Sequence, residues 1–360
     1  MQENKIVAID ISSTGVGGGP YVSNMRVINS RLKEKYVFKT FIYRTELGRY
    51  ISIKRILDIK RQLLEIKPDL VHFSGLQLMG FHIAVACRLA GIRNTVVTVH
   101  GLTNDALNVS WFVRFVMTFI FEPLTILLTK KNYGVSQFVA KRRILNILKS
   151  KNLGYIYNIP TGDDHSKKKS SIRTELGISP DKTIVVTVGR VVKDKGFHIL
   201  KDSIIMCNSL NDIVFIIVGK GDYLETMKNE LEPLINQNKV FFLGYRNDVG
   251  SILSECDIFI LPTLHETLSI ALLEASNASL PLIASNTGGV PEIVEHGFNG
   301  ILVTPGSAAD IKNAIFELYS NKSLRHTYGE NAKIKVQEKF SQREIESKID
   351  SVYQKVLHNS

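Results

Sequence analysis

DIFILPTLHETLSIALLEASNASLPLIAS, residues 257–285, alternates strand, loop, helix and strand. The runs DIFILPT and LPLIAS predict two strands, and SIALLEASNA between them predicts a helix. Ser269 is a favoured N-cap residue, so the helix should begin there. Glu266 then lies on the loop before the helix, and Glu274 lies within it. Free amides at a helix start, flanked by two carboxylates, predict a phosphate site between groups that bind hydroxyls.

The same alternation of strands and helices runs through the whole chain. Short β-branched runs bounded by Gly, Pro or Asp predict ten strands with helical stretches between them. Near-continuous apolar strands are typical of parallel sheets covered on both faces, so two successive sets predict two doubly wound α/β domains. The ten runs are KIVAID, YVFKTFIY, DLVHFSG, NTVVTVHG, NYGVS, TIVVTVG, IVFIIVG, VFFLG, DIFILPT and LPLIAS.

Length and composition fit this layout. A chain of 360 residues is too long for one ordinary core. The polar stretch TGDDHSKKKSS, residues 161–171, predicts a linker, which gives a first domain over 1–165 and a second over 166–339. Residues 340–360 predict one long amphipathic helix. The three cysteines lie far apart in apolar surroundings, which argues against a disulfide framework or a zinc site and favours a reducing, cytoplasmic compartment.

The chain shows no pattern typical of a signal peptide or a membrane span. Its first ten residues, MQENKIVAID, are too polar for a signal peptide. The longest apolar stretch, Trp111–Phe121, contains Arg114 and is shorter than the ~20 residues that cross a bilayer. A phenylalanine-rich run without a clear polar face predicts instead a buried helix of the first domain.

Several residues at predicted strand ends have side chains suited to binding. Ligands of open α/β sheets sit outside the carboxyl ends of the strands. The glycine-rich loop after the first strand, which includes Gly17 and Gly18, lets backbone amides approach a phosphate. His100 ends its strand and can hydrogen-bond a substrate hydroxyl. Arg190 and Lys195 lie on one strand-to-helix loop, and two cations there can neutralise a diphosphate.

Taken in order, these motifs resemble the retaining nucleotide-sugar glycosyltransferases of family 4, which have the GT-B fold. The resemblance runs nearly end to end. It rests on the glycine loop, the His-Gly at 100–101, VSQFVA leading into YNIP, the Gly-Arg with its lysine, VGKGD, FLGYRNDV, the pair of glutamates eight residues apart, and GGVPEIV. It implies two Rossmann-like domains facing each other across a cleft, with the last helix crossing back to the N-terminal domain.

The resemblance also implies roles for individual residues. Arg190 and Lys195 would hold the donor diphosphate, and Glu274 would accept hydrogen bonds from the ribose hydroxyls. Glu266 would contact the transferred sugar, and His100 would lie beside the reacting carbon. With Arg190, Lys195, Glu266 and His100 as the catalytic set, the remaining residues would bind the donor: Gly17, Gly18, Gly219, Tyr245, Arg246, Leu268, Ser269 and Glu274.

The sequence departs from the family pattern at three positions. Thr267 and Ser269 stand where relatives often have glycine, which leaves backbone donation in place but alters the sugar pocket. Ser279 also occupies a position where glycine is common. The chain contains no DxD motif, which agrees with a metal-independent fold in which Arg190 and Lys195 replace the cation.

The expected function is a retaining, metal-independent glycosyltransferase without a cofactor. Its donor would be a UDP-sugar, with a GDP-sugar as the alternative nucleotide, and its acceptor a glycan or polyprenyl-linked glycan of surface polysaccharide biosynthesis. Two alternatives stay open: a nucleotide-sugar-binding protein without catalysis, and a sugar-nucleotide epimerase or phosphorylase on the same fold. A dinucleotide oxidoreductase is the weakest alternative, because the glycine loop lacks the GxGxxG spacing.

The charge distribution predicts a further partner. Residues 1–170 hold 26 Lys and Arg against 11 Asp and Glu, whereas residues 171–360 hold 19 against 23. The basic first half, with clusters at 130–131, 141–143 and 167–169, predicts peripheral binding to an anionic membrane surface on the cytoplasmic side. Nucleic acid is not an expected partner.

Overall fold

The computed structural model describes residues 4–12, 19–47, 50–105, 109–160 and 171–358. The chain divides into two compact units. Unit 1 comprises Met1–Ile159 and Gln342–Ser360, and unit 2 comprises Pro160–Ser341. The predicted linker lies, apart from Ser171, outside the described residues, and so does the predicted boundary between 165 and 166.

Unit 1 is built on a parallel sheet. Its strands are Lys5–Ser12 (β1), Tyr36–Tyr43 (β2), Leu70–Ser74 (β3), Thr95–Val99 (β4), Lys131–Gly134 (β5) and Asn152–Tyr155 (β6). Their order across the sheet is β2-β1-β3-β4-β5-β6. The central strands β3 and β4 are buried along their whole length, as expected for apolar runs with helices on both faces.

The helices of unit 1 follow the strands. They are Gly19–Asn29 (α1), Ile53–Ile66 (α2), Leu78–Leu89 (α3), Trp111–Val116 (α4), Glu122–Leu128 (α5), Gln137–Ala140 (α6) and Arg143–Asn146 (α7). Short 3-10 helices occupy Arg31–Glu34, Thr45–Leu47 and Thr103–Asp105. The register of α2 follows from its ends, because the Ser52 hydroxyl accepts a hydrogen bond from the Arg55 amide at the N-terminus. Its buried face then carries Ile56, Ile59 and Leu63.

The helix predicted to be buried, Trp111–Phe121, is largely exposed. A π-helical turn, Met117–Phe121, joins α4 to α5, so one helix runs from Trp111 to Leu128 and is long and apolar enough to cross a membrane by length and composition. Trp111 is 79% exposed and Phe119 66% exposed. The prediction of a buried helix was therefore wrong. The sequence of this helix shows no polar face because the side exposed on the surface carries apolar residues.

The last helix, Gln342–His358 (α17), packs on unit 1. Its apolar residues Ile345, Ile349 and Val352 recur at helical spacing and are buried. The Tyr353 hydroxyl lies 2.7 Å from His72 Nδ1 on β3, and the Tyr36 hydroxyl donates to Asp350 Oδ1 at 2.6 Å. Apolar burial and these two hydrogen bonds hold α17 on the sheet of unit 1.

Unit 2 has a second parallel sheet. Its strands are Thr183–Val188 (β7), Ile213–Val218 (β8), Val240–Gly244 (β9), Ile258–Leu261 (β10), Leu282–Ser285 (β11) and Gly300–Val303 (β12). Their order is β12-β11-β10-β7-β8-β9, so β7 and β10 lie side by side at the centre. The loops that follow these two central strands consequently emerge as neighbours.

Helices cover the second sheet. They are Ile172–Leu176 (α8), Phe197–Met206 (α9), Leu224–Glu230 (α10), Glu232–Asn236 (α11), Val249–Leu253 (α12), Ile270–Asn277 (α13), Val290–Ile293 (α14), Ala308–Ser320 (α15) and Lys322–Lys339 (α16), with a 3-10 turn over Lys193–Lys195. The core between helices and sheet is apolar and includes Phe197, Leu200, Phe215 and Ile260.

All ten predicted strands are present, and two edge strands were missed. β6 contains Gly154 at φ +80° and has no fully buried residue, and β12 has only four residues after a polar turn. Short edge strands need less apolar sequence than central ones because one side is not covered by the sheet. The sequence of β6 therefore lacks the apolar pattern of the central strands, whereas β12 is apolar but very short.

Candidate active site

The candidate site of unit 2 lies at the carboxyl ends of its strands, where glycines allow three pairs of loops to touch. A Cβ atom on Gly219 would lie 1.8 Å from the Gly189 carbonyl oxygen, and one on Gly196 would lie 1.8 Å from that of Pro262. The third contact places Gly288 equally close, 1.8 Å, to the carbonyl oxygen of Glu266. Any side chain at these glycines would separate the loops.

These contacts bring Lys195 and Glu266 together from the loops after β7 and β10. The Lys195 Nζ atom lies 2.8 Å from Glu266 Oε2. The other carboxylate oxygen, Oε1, accepts a hydrogen bond from the Thr267 amide at 3.0 Å. A bond from the Leu264 amide to the Asp194 carbonyl, 3.1 Å, ties the same two loops through their backbones. Both oxygens of Glu266 are therefore held before any ligand arrives.

Arg190 lies five residues before Lys195 on the same loop and is exposed. Lys195 is half-buried, with its ammonium paired to Glu266. The Val192 amide donates to the Arg190 carbonyl at 2.9 Å, which forms a tight turn after the strand. The loop thus offers two cations at different depths, one held in place and one in solvent.

The start of α13 has the geometry predicted for it. Ser269 is the N-cap, and its Oγ accepts a hydrogen bond from the Leu272 amide at 3.2 Å. Leu268 and Ser269 are buried, and Glu274 is half-buried on the helix. Because the Ser269 hydroxyl caps its own helix, any contribution of Leu268 and Ser269 to an anion comes from their backbone amides.

Gly219, Tyr245 and Arg246 lie at the ends of the neighbouring strands β8 and β9. Gly219 has φ +144° and is hydrogen-bonded from its amide to the Gly244 carbonyl at 2.8 Å. Arg246 binds Asp248 through Nε at 2.8 Å and Glu175 through Nη1 at 2.6 Å, and these carboxylates raise its pKa. Arg246 therefore fixes the loop on which the exposed Tyr245 stands.

In unit 1, His100 follows β4 and has a shielded ring. Its Nε2 atom is buried and has no hydrogen-bond partner among the described residues. Burial lowers the pKa of His100 to about 4, so the imidazole is neutral at pH 7. The loop after it is held by the Gln77 side chain, which donates to the Gly101 carbonyl at 2.9 Å. Gly17 and Gly18 lie outside the described residues.

Sequence reasoning missed a buried polar group beside the glycine loop. Asp10, near the end of β1, is almost fully buried, and burial raises the pKa of its carboxyl to about 7. Its Oδ1 accepts hydrogen bonds from the Ser74 amide at 3.0 Å and from Asn24 Nδ2 at 3.2 Å. The acid in KIVAID was a visible signal, because a carboxyl at the end of an apolar strand needs partners.

The sequence also gave no role to Gly288 and Gly289. The Gly289 amide donates to the Glu266 carbonyl at 3.0 Å, and Gly288 has φ +56° against the same group. The loop after β11 therefore positions the backbone of Glu266. Within the described part of the chain, no group of three or more His, Cys, Asp or Glu side chains could hold a metal ion.

Comparisons with known proteins agree with this architecture. Residues 168–335 match the family described as glycosyl transferases group 1. The chain is 28% identical over 315 residues to the UDP-Gal:alpha-D-GlcNAc-diphosphoundecaprenol alpha-1,3-galactosyltransferase of Escherichia coli, covering 84% of this chain and 79% of that protein. It is 25% identical over 340 residues to the capsular polysaccharide biosynthesis glycosyltransferase CapM of Staphylococcus aureus, covering 88% and 87%.

Among solved structures, the chain is similar to Anabaena HepE in complex with UDP and glucose. The TM-score is 0.78 at 20% identity, and the match covers 98% of this chain and 100% of that one. The fold is thus that of the GT-B glycosyltransferases. Residues 168–335 match glycosyl transferases group 1, and this match confirms the resemblance to family 4 seen in the sequence.

Proposed function

We propose that this chain is a retaining, metal-independent glycosyltransferase that moves a sugar from a UDP-sugar to a glycan or polyprenyl-linked glycan. The observation that carries the proposal is the Lys195–Glu266 pair, 2.8 Å apart, beside the start of α13. The name of the Escherichia coli relative specifies UDP-Gal and an undecaprenol-linked acceptor, and HepE was solved with UDP, which favours UDP over GDP.

The donor diphosphate would be held by Arg190, Lys195 and the backbone amides at the start of α13. An ammonium group has three donors, so Lys195 can keep its contact with Glu266 and also donate to a phosphate oxygen. Arg190 can add a bidentate contact from the solvent side. Their charges would stabilise the leaving diphosphate in the transition state, which is where such electrostatic groups contribute most.

The two glutamates would bind opposite ends of the donor. Lys195 and the Thr267 amide occupy two of the roughly four lone-pair sites of the Glu266 carboxylate, which leaves two for sugar hydroxyls. Glu274, about one turn into α13, would accept from the ribose hydroxyls. The phosphate-binding amides lie between them in sequence, in the order sugar, diphosphate and ribose.

His100 would act as a neutral hydrogen-bonding group near the reacting carbon. Because burial lowers its pKa to about 4, it would bring no positive charge to an oxocarbenium-like centre at pH 7. A protonated imidazole there would oppose charge development in the transition state. The acceptor would attack from the face that the diphosphate leaves, which gives retention of configuration.

A panel of UDP-, GDP- and ADP-sugars, with NAD as the oxidoreductase probe, tests the proposal by thermal stabilisation and by donor hydrolysis. UDP-sugars should stabilise the protein and be hydrolysed, and EDTA should leave the rate unchanged. Stabilisation without turnover would support a binding protein instead, and strong inhibition by EDTA would contradict the metal-free mechanism.

A matched pair of variants ties the activity to the site. Lys195→Ala should cut turnover about a hundredfold, the scale of losing one preorganised charge. Lys182→Ala is the control, because Lys182 also pairs with a carboxylate, Asp212 at 2.9 Å, and its side chain is 30% exposed against 25% for Lys195. Lys182 precedes β7 and so lies at the amino end of that strand, at the opposite end from the candidate site. Equal activity of the two variants would refute the assignment.

A further inference from the structure

The most unusual surface of unit 1 is the outward side of the helix Trp111–Leu128. We define the docking face by its exposed apolar residues Trp111, Phe112, Phe115, Phe119, Ile120 and Leu127. The aromatic rings form contiguous pairs: Trp111 and Phe112 have ring centroids 5.9 Å apart, and Phe115 and Phe119 are 4.9 Å apart. Contiguous exposed apolar patches of this kind mark interaction sites.

The opposite side of the helix is fixed to unit 1. Phe121 packs edge-on against Phe81 of α3, with ring centroids 5.0 Å apart. The Thr125 hydroxyl donates to the Leu76 carbonyl at 2.8 Å, and a buried Glu122 Oε1 accepts from the Thr103 amide at 2.8 Å. Because its second half packs lengthwise with polar anchors, the helix in this fold does not stand free to span a bilayer.

Three cations that have no carboxylate partner among the described residues surround the C-terminal end of the helix. Lys151 donates to the Leu127 and Thr129 carbonyls at 2.6 and 2.7 Å, and Arg88 donates to the Leu128 carbonyl at 2.9 Å. Lys131 donates to the Ser150 carbonyl at 2.7 Å. Burial lowers the pKa of Lys151, and the nearby charges of Arg88 and Lys131 lower it further.

We propose that the docking face seats unit 1 on an anionic lipid bilayer, with the helix lying in the plane of the membrane. The aromatic residues would enter the boundary between headgroups and acyl chains, and the cations at the end of the helix would meet lipid phosphates. An apolar face beside cations that pair with no carboxylate in the described part of the chain is complementary to such a surface. The alternative occupants of the docking face are a protein partner and a second copy of the chain.

One of the basic clusters seen in the sequence is already partly engaged. Arg142, in the cluster 141–143, forms an ion pair with Asp105, whose side chain is buried. Lys167–Lys169 lie outside the described residues. The proposal therefore rests on the docking face with Arg88, Lys131 and Lys151, and not on the count of charges. It also stands apart from glycosyl transfer, so it can be tested without any sugar nucleotide.

Trp111 is the single tryptophan of the chain, so intrinsic fluorescence reports directly on the docking face. Vesicles of phosphatidylcholine with about 30 mol% phosphatidylglycerol should shift the emission of the full chain to the blue, and lipids brominated on the acyl chains should quench it. Phosphatidylcholine alone should bind at least about tenfold more weakly, and salt at about 0.5 M should release the protein. No shift with anionic vesicles at low salt would overturn the proposal.

A matched pair of variants tests the face itself by vesicle co-sedimentation. Phe115→Ser with Phe119→Ser should lower the partition coefficient at least about tenfold, because both rings leave the bilayer. Phe316→Ser is the control, since Phe316 lies on α15 of unit 2 and is 52% exposed, as Phe115 is. Equal binding of both variants would overturn the proposal.

Two further measurements keep the test decisive. If the double variant fails to fold, judged by circular dichroism, quenching of wild-type Trp111 by brominated lipids replaces it, and an absence of quenching counts against insertion. Sedimentation velocity without lipid tests the competing occupant. A stable dimer that the double variant abolishes would show that a second copy covers the face, which also overturns the proposal.

Discussion

Gly288→Ala should disable the candidate site without touching any group that binds the donor. Gly288 has φ +56°, and a Cβ atom there would lie 1.8 Å from the carbonyl oxygen of Glu266. Real Cβ atoms essentially never come closer than 3.0 Å, so the two loops would have to separate by about 1.2 Å. The Glu266 backbone and its carboxylate would move by a similar distance away from Lys195.

Two effects should lower the free energy of unfolding of Gly288→Ala, and a third should lower its turnover. Alanine in the left-handed region costs about 1 kcal/mol of stability wherever it occurs. Separation of the loops adds about 1–3 kcal/mol of packing strain. A misplacement of about 1 Å in an active site lowers turnover about a hundredfold, or roughly 2.7 kcal/mol of transition-state stabilisation.

Gly297→Ala provides the matched control, because Gly297 has φ +78° but nothing within 4 Å of its Cβ position. Both variants should lose about 1 kcal/mol of stability from backbone strain, and Gly288→Ala should lose about 1–3 kcal/mol more from separation of the loops, as measured by thermal unfolding. Only Gly288→Ala should lose turnover of the UDP-sugar about a hundredfold. If Gly288→Ala keeps a rate within about threefold of Gly297→Ala, the loop contact does not position Glu266 and the reasoning fails.

Three further predictions concern the charged groups. Glu274→Ala should weaken binding of free UDP, whereas Glu266→Ala should leave UDP binding nearly intact and lower turnover; calorimetry showing equal loss of binding would refute this division. Arg190→Ala should cut turnover about a hundredfold with little change in thermal stability, since Arg190 is exposed; a near-normal rate would remove it from the site. Asp10→Asn should unfold at a higher temperature than wild type, by a margin that grows as pH rises from about 4 to 7. A margin independent of pH would show that the Asp10 carboxyl does not titrate as described.

The sign of the Asp10 effect follows from the direction of its shift. Burial raises the folded-state pKa from 3.8 to about 7, so the folded protein binds the proton more tightly than the unfolded chain. The stability that this carboxyl contributes is fully present below about pH 4 and is lost as pH rises through about 7. Asparagine keeps an oxygen that can accept from Ser74 and Asn24 but carries no charge to bury.

The sequence alone predicts those structural elements that are determined by residues close together in the chain. Most of the ten predicted strands are near-continuous apolar runs, because a central parallel strand is buried on both faces and tolerates little else. The helix start at Ser269 follows from the chemistry of one side chain and the amide it caps. The placement of Glu266 on a loop and Glu274 on a helix follows from that start.

The contacts between loops could not be derived in the same way. Lys195 and Glu266 are 71 residues apart, and nothing in either loop specifies that β7 and β10 are neighbours. The strand order of the sheet makes β7 and β10 neighbours, and that order depends on the packing of the whole unit. Gly288 presents the same difficulty, because its need for a glycine arises only once the Glu266 carbonyl lies beside it.

The error over Trp111–Phe121 has a different cause and bears on function. An apolar sequence predicts burial inside the protein because exposure to water is unfavourable. The prediction applies only where the exposed surface of the protein faces water. The exposed helix, with aromatic residues outward and Glu122, Thr125 and Phe121 inward, departs from that expectation, and the bilayer proposed above would account for the departure. In a bilayer, both sides of the helix would be removed from water. The inward side packs against α3, and the outward side would contact lipid. Under the same proposal, Lys151 and Arg88, which bind the last carbonyls of the helix, would stay at the level of the headgroups while the rings lie deeper.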